Sequence, residues 1–174
     1  MKTVPIEGHY CRVADPEWDD PLDPSFAAST GQRWNPQGVE CLYLNREEAT
    51  ARANVLRRFA GLAYGPEDLD PATAPLLINV EVPAGNAADG YTDRGFRSLG
   101  LPDTYPWDAD GSPIPHGTCQ AIGRSVHDAG LHGVDYRSAA PGGNRELAWF
   151  PRGSAARETS RLAFDDWWQR CGAA

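Results

Sequence analysis

The chain has 174 residues, a formal net charge of −8, and is 41% hydrophobic and 23% charged. That length and composition suit one domain with its own core and exclude a disordered or fibrous chain. The acidic balance argues against a nucleic-acid backbone or an anionic membrane as the main partner, since both attract positive fields.

Residues 8–13 (GHYCRV) read as a strand. Residues 14–32 are acidic and proline-rich, with Asp15, Glu17, Asp19, Asp20 and Asp23 among Pro16, Pro21 and Pro24, and are expected to be a loop. The turn-rich stretch G-Q-R-W-N-P-Q-G covers residues 31–38, and residues 40–44 (ECLYL) alternate like a strand. A helix is expected over 46–60. Asn45 and Glu48 have capping-box spacing, and Ala49, Ala53, Leu56 and Ala60 form an apolar stripe. Residues 76–82 (LLINVEV) are the clearest strand, with a short helix at about 93–99. Residues 100–117 hold four prolines and form a long loop of the kind that shapes a site. A helix over 118–130 is capped by Thr118, carries Ile122, Val126 and Ala129, and ends at Gly130. Strands over 133–138 and 145–150 are joined by a Pro-Gly-Gly turn. The tail, 161–171, reads as a helix that docks through Phe164, Trp167 and Trp168. No βαβ rhythm runs through this order. The fold class is therefore α+β: a single domain over 1–174, its core at about 8–151, with a twisted, largely antiparallel sheet and flanking helices.

Of the 16 basic residues, 15 are Arg and the only lysine is Lys2. No lysine is placed for a Schiff base or for a phosphate-binding loop, so an anion must be held by Arg forks or backbone N–H groups. Cys11, Cys41, Cys119 and Cys171 form no C-x-x-C, and no His pair has zinc-helix spacing. They read as buried thiols of a cytoplasmic protein, and no metal is expected. The N-terminal residues lack an apolar signal region, and no apolar run approaches the roughly 20 residues of a membrane span.

Four clusters carry candidate chemistry. Arg12, beside Tyr10, is a charge inside an apolar strand, either facing water at an edge or pointing into a site. Arg33, Trp34 and Asn35 sit on a glycine-framed turn that is either a phosphate grip walled by the ring or a structural turn. Tyr43 ends a strand facing the following helix, where Asn54 stands between apolar neighbours. Tyr136, Arg137 and Ser138 precede Asn144, Arg145 and Glu146, and Tyr136 and Ser138 share a strand face.

Taken in order, Y-x-R, G-x-R-W-N-P-x-G, L-Y-L before an A-x-A-rich helix, C-Q-A-I-G, Y-R-S-A-A and N-x-E-L-A-W-F resemble the RES-domain family over about Tyr10 to Pro151. The resemblance implies a fold similar to ADP-ribosyltransferase toxins. It also implies a bacterial toxin that destroys NAD as a phosphorylase or glycohydrolase, and a helix-turn-helix antitoxin as partner. On that basis Arg12 and Arg33 hold the pyrophosphate or an attacking phosphate. Trp34 and Asn35 belong to the same nucleotide-binding turn, and Tyr43 stacks on the nicotinamide or its ribose. Ser138 falls on the family serine with Thr118 as its rival, and Asn144 on the late asparagine. NAD enters as substrate, with inorganic phosphate as a co-substrate on the phosphorolytic route and no other cofactor. Self-association stays open.

One position departs from the pattern. The family's helical glutamate falls on Asn54. Cleaving an N-glycosidic bond builds positive charge on ribose, which a carboxylate stabilises and an amide does not. Glu47, on the same helix face, or Glu146, in the last of the motif strands, is then expected to supply the charge. The alternatives are a catalytically weakened nucleotide-binding module, favoured by Asn54, or an ADP-ribosyltransferase with an acceptor site at the 100–117 loop.

Overall fold

β1 spans Thr3–Ala14. It starts earlier than its apolar run indicates because β3 (Leu76–Gly90) pairs with it from Thr3↔Ala88 to Ala14↔Leu76. The structure, a computed structural model, describes residues 1–170. Between those strands lie α1 (Ser25–Thr30), β2 (Leu42–Asn45) and α2 (Glu48–Phe59). After β3 come α3 (Asp93–Ser98), α4 (His116–Asp128), β4 (Gly133–Arg137), β5 (Arg145–Trp149), β6 (Arg157–Leu162) and α5 (Phe164–Trp168).

The six strands follow the order β1-β2-β5-β4-β3-β6, and the additional β1–β3 pairing closes the first five into a ring. Every pairing is antiparallel except β3–β4. β3 serves two neighbours on one edge: Leu77–Glu81 pair with β6, and Ala88–Gly90 with β4. The expected α+β class with a largely antiparallel sheet and flanking helices is what the chain adopts.

Strand alternation sends successive side chains to opposite faces. Tyr10 packs with Leu42, Leu44, Ile78, Leu147 and Trp149 on one face. Its neighbour Cys11 packs on the other with Val55, Leu77, Phe164 and Trp167, beneath α2 and α5. A third cluster joins Trp34, Phe96, Tyr105, Cys119, Val126 and Phe150. Each such large apolar side chain contributes about 1.5–3 kcal/mol on burial.

Gly123 explains one motif. A Cβ at that position would lie 1.6 Å from the Trp34 carbonyl oxygen, so only glycine lets α4 approach the 31–38 loop this closely. Gln120 Nε2 adds a bond to the Gln32 carbonyl at 2.9 Å. C-Q-A-I-G and R-W-N-P are thus two halves of one contact. The sole lysine is a second staple: Lys2 Nζ meets the buried Asp89 carboxylate at 2.7 Å and Thr92 Oγ1 at 3.3 Å. Burial alone would raise the Asp89 pKa, but Lys2 and the Thr92 and Tyr91 donors outweigh it and hold the group at about 2.

Several expectations are corrected. The acidic loop contains a helical turn and a half, α1, whose Ala27 is buried. Asn45 is not a helix cap. It ends β2, Glu47 occupies the cap position without a side-chain bond, and Asn45 Nδ2 instead donates to the Cys11 carbonyl at 3.3 Å. On α2 the buried residues are Thr50, Ala51, Ala53 and Val55, whereas Ala49, Leu56 and Ala60 are exposed. The alanines carry too little side chain to fix the period. Thr118 lies within α4, which begins at His116 behind Pro115 and has no side-chain cap. On α4, Val126 is buried and Ala129 exposed. The tail is not one helix. β6 adds to β3 first, and α5 then docks through Phe164 and Trp167. Cys11, Cys41 and Cys119 are buried thiols, and Cys171 lies outside the described residues. Among the described residues no helix is long and apolar enough to cross a membrane.

Candidate active site

One cleft, of about 370 Å³, lies where β1, β2, α2, β4 and β5 converge with the 31–38 loop. That size falls within the usual range for small-molecule sites. Arg12, Arg33, Tyr43, Asn54 and Glu146 all line it, and so does Tyr136.

Glu146, the second residue of β5, lies opposite Tyr136 of β4, so strand register brings the two side chains together. Tyr136 donates its hydroxyl to Glu146 Oε2 at 2.5 Å, and Asn54 Nδ2 donates to Glu146 Oε1 at 2.9 Å. Asn54 Nδ2 also donates to Asn45 Oδ1 at 3.0 Å. The carboxylate therefore receives two neutral donors and no cation. Burial pushes the Tyr136 phenol well above its ordinary value, and Glu146 adds to the shift, so the phenol stays a donor.

The positive side of the cleft has four guanidinium groups: Arg12, Arg33, Arg57 and Arg58. Arg12 packs 5.3 Å from the Trp18 ring centroid, and its buried Nη1 has no protein acceptor. Burial pulls its pKa below the ordinary arginine value, with Cys41, Asp20 and Asp23 opposing. Arg33 spends Nη1 on long contacts, 3.5 Å to the Ile114 carbonyl and 3.8 Å to Cys119 Sγ. Among the described residues, Arg57 and Arg58 pair with no carboxylate. A chain of net charge −8 thus gathers unpaired arginines around one carboxylate. His116 also lines the cleft; burial, then the Arg33 charge, lowers its pKa and keeps it neutral at pH 7.

Tyr43 contributes its ring. Its hydroxyl is committed, accepting from the Trp34 N–H and donating to Asn35 Oδ1, both at 2.8 Å. Burial raises its pKa well above the ordinary phenol value. Trp34 and Asn35 do not line the cleft: both are fully buried. Asn35 Nδ2 ties the Ala27 and Val39 carbonyls together, and Trp34 packs 5.2 Å from the Tyr136 ring and 5.8 Å from that of Tyr105. The glycine-framed turn is a structural brace that aims Arg33 and Tyr43.

Four other expected residues lie off the cleft lining. Ser138 is buried beside it, its hydroxyl accepting from the Ala140 N–H at 3.1 Å to shape the turn before β5. Thr118 is exposed on α4. Asn144 is exposed, accepts from Tyr91 at 2.5 Å and donates to Glu47 at 3.4 Å. Glu47 is thereby turned to Asn144, so the carboxylate in the cleft is Glu146. Arg57, Arg58, Trp18 and Phe26 line the cleft as well, although none of them belongs to the four sequence clusters. The signal for the two arginines was present: they follow Asn54 by three and four positions, which places them on its helix face.

Chemically, the arrangement holds an anion between arginine forks and places one negative charge, fixed by neutral donors, where a nearby positive charge would be stabilised. No curated protein matches the sequence. A solved structure similar in fold is the MbcT–MbcA toxin–antitoxin complex of M. tuberculosis, with a TM-score of 0.79 at 18% identity over 98% of this chain and 92% of that one. The RES domain model matches residues 9–168, a span that runs from within β1 to the end of α5 and holds every cleft residue named above, and the chain therefore belongs to the RES-domain family.

Proposed function

We propose that the protein is an enzyme that cleaves the nicotinamide–ribose bond of NAD, with phosphate or water as acceptor. One observation carries this reading: Glu146, held by neutral donors, is the carboxylate of a cleft that also holds four arginines with no carboxylate partner. In the reaction the C1″–N1 bond breaks and its electron pair leaves with nicotinamide. Positive charge grows on the ribose, and Glu146 stabilises it. Phosphate oxygen bonding to C1″ gives ADP-ribose 1″-phosphate; water gives ADP-ribose and releases a proton. Arg12 and Arg33 hold the diphosphate, which gives the buried Arg12 Nη1 its acceptor. The Tyr43 ring stacks on nicotinamide or its ribose. Ser138 supports the turn that carries β5.

The biological setting belongs to the same proposal: a toxin-like cytoplasmic protein restrained by a helix-turn-helix antitoxin. Pure protein incubated with NAD, with and without phosphate, and products identified by mass, tests the reading. ADP-ribose 1″-phosphate formed only with phosphate identifies a phosphorylase, and ADP-ribose in both samples a glycohydrolase. NAD that binds and stays intact overturns the enzyme reading in favour of a binding module. No metal takes part, so EDTA leaves the rate unchanged.

A further inference from the structure

The Asn54 amide has one permitted orientation. Asn45 Nδ2 is committed to the Cys11 carbonyl on β1, so Asn45 presents Oδ1 towards α2. Glu146 presents a carboxylate oxygen from β5. Both are acceptors, and only the NH₂ group of Asn54 can satisfy them together. It does so at 3.0 and 2.9 Å, one hydrogen to each. The order of donors thus runs from backbone to Asn45, to Asn54, to Glu146, with Tyr136 closing the far oxygen. Asn54 Oδ1 is left without a protein donor, on a side chain that lines the cleft.

We propose that Asn54 is a positioning residue: its NH₂ group fixes the Glu146 carboxylate in one rotamer, leaving Oδ1 to accept from a ribose hydroxyl. This rests on the NAD reading for the sugar, and on the hydrogen-bond order alone for the carboxylate. Aspartate at 54 has nearly the shape of asparagine but faces Glu146 with a second acceptor. Two carboxyl groups in such contact share a proton. The other groups around Glu146 leave this readable. Tyr43, Tyr105 and Tyr136 are pushed up by burial, and His116, which burial and the Arg33 charge pull down, is replaced in the test.

The test has two arms. In the first, carbon-13 NMR follows the Glu146 carboxyl titration in wild type and Asn54→Asp, each also carrying His116→Gln, with Glu146→Gln giving the assignment. The expected result is a midpoint raised by about one pH unit or more in Asn54→Asp. In the second, NAD turnover is followed against pH. Asn54→Asp is expected to move the acidic limb of kcat upward by the same amount. Glu146→Asn is expected to lose about 10²-fold or more. Asn54→Glu with Glu146→Asn conserves the reach across the contact and returns a carboxylate to the cleft. It is expected to recover about tenfold over Glu146→Asn alone, short of wild type because Asn45 Oδ1 then faces the new carboxylate. An unmoved Glu146 titration in Asn54→Asp overturns the positioning role, whether or not NAD is cleaved. A moved titration with wild-type protein that leaves NAD intact overturns the functional reading and keeps the pairing. A double variant no faster than Glu146→Asn overturns the ribose-facing part.

Discussion

Two carboxylates sit one residue apart in register on the paired strands β4 and β5, and they face opposite sides of the sheet. Asp135 is gripped by Arg145, which bonds Oδ1 at 2.8 Å and Oδ2 at 2.5 Å. Glu146 receives only Asn54 and Tyr136. The arginines nearby show the same contrast: Arg145 and Arg137 are paired to acids, while Arg12, Arg33, Arg57 and Arg58 line the cleft with no carboxylate partner. A charge cancelled inside the protein holds the fold. A charge left uncancelled in a cleft is free to act on a ligand.

Substitutions at neighbouring residues of β5 should therefore separate activity from stability. The largest effect is expected at Glu146→Gln, which keeps the shape and removes the charge. NAD cleavage should fall by about 10²–10³-fold, or roughly 2.7–4 kcal/mol, while the melting temperature stays near wild type. Rates and thermal melts on the same preparation check it. A variant that cleaves NAD at the wild-type rate breaks the contrast.

Arg145→Met should do the reverse. It strands the Asp135 carboxylate, which is almost wholly buried, at a cost of about 3 kcal/mol, the low end of the range for buried pairs because Arg145 is half-exposed. Denaturant unfolding measures the loss, and kcat per folded molecule should hold. Arg12→Lys and Arg33→Lys come next. An ammonium keeps the charge but not the planar fork, so NAD affinity should drop by about 1.5–3 kcal/mol with the fold intact by circular dichroism. Calorimetric titration decides, and unchanged affinity in both variants would mean that neither side chain grips the ligand.

The smallest effect concerns Asp89. Its folded pKa, about 2, lies below the model-peptide value of about 3.9. The group therefore contributes stability that is complete above about pH 4 and is lost as pH falls through about 2, amounting to roughly 2 kcal/mol. In Lys2→Met this acid-dependent component should shrink. Acid titration of the unfolding free energy in both proteins measures the difference.

The fold class was readable because strand alternation and turn residues are local signals. The order of R-W-N-P, L-Y-L and C-Q-A-I-G carried the family. What escaped was set by distant partners. β6 has no buried residue and exists because β3 has an open edge there. Asn45 looked like a cap because its spacing to Glu48 fits, yet the Cys11 carbonyl and the Asn54 amide claim its side chain. In the site, Arg12, Arg33, Tyr43, Asn54 and Glu146 were legible as unusual residues in ordered motifs. Trp34 and Asn35 were equally conspicuous, but burial gives them to the scaffold. Tyr136 could be placed on a strand face, but its bond to Glu146 depends on the register of β4 with β5. No spacing within one segment encodes that register.

The tie between Lys2 and Asp89 has a practical corollary. Amine-directed reagents meet a single ε-amino group in this chain, and that group is held against a buried carboxylate. Acylating it erases the charge that compensates Asp89, so the label is itself a perturbant. The Lys2 side chain is about a third exposed, so the reagent reaches it in the folded protein, and the ion pair with Asp89 is what the reaction has to break. Labelling speed at Lys2 thus reports how often the Lys2–Asp89 pair opens at the end of the strand pair that closes the ring, a local event that global denaturation would average away.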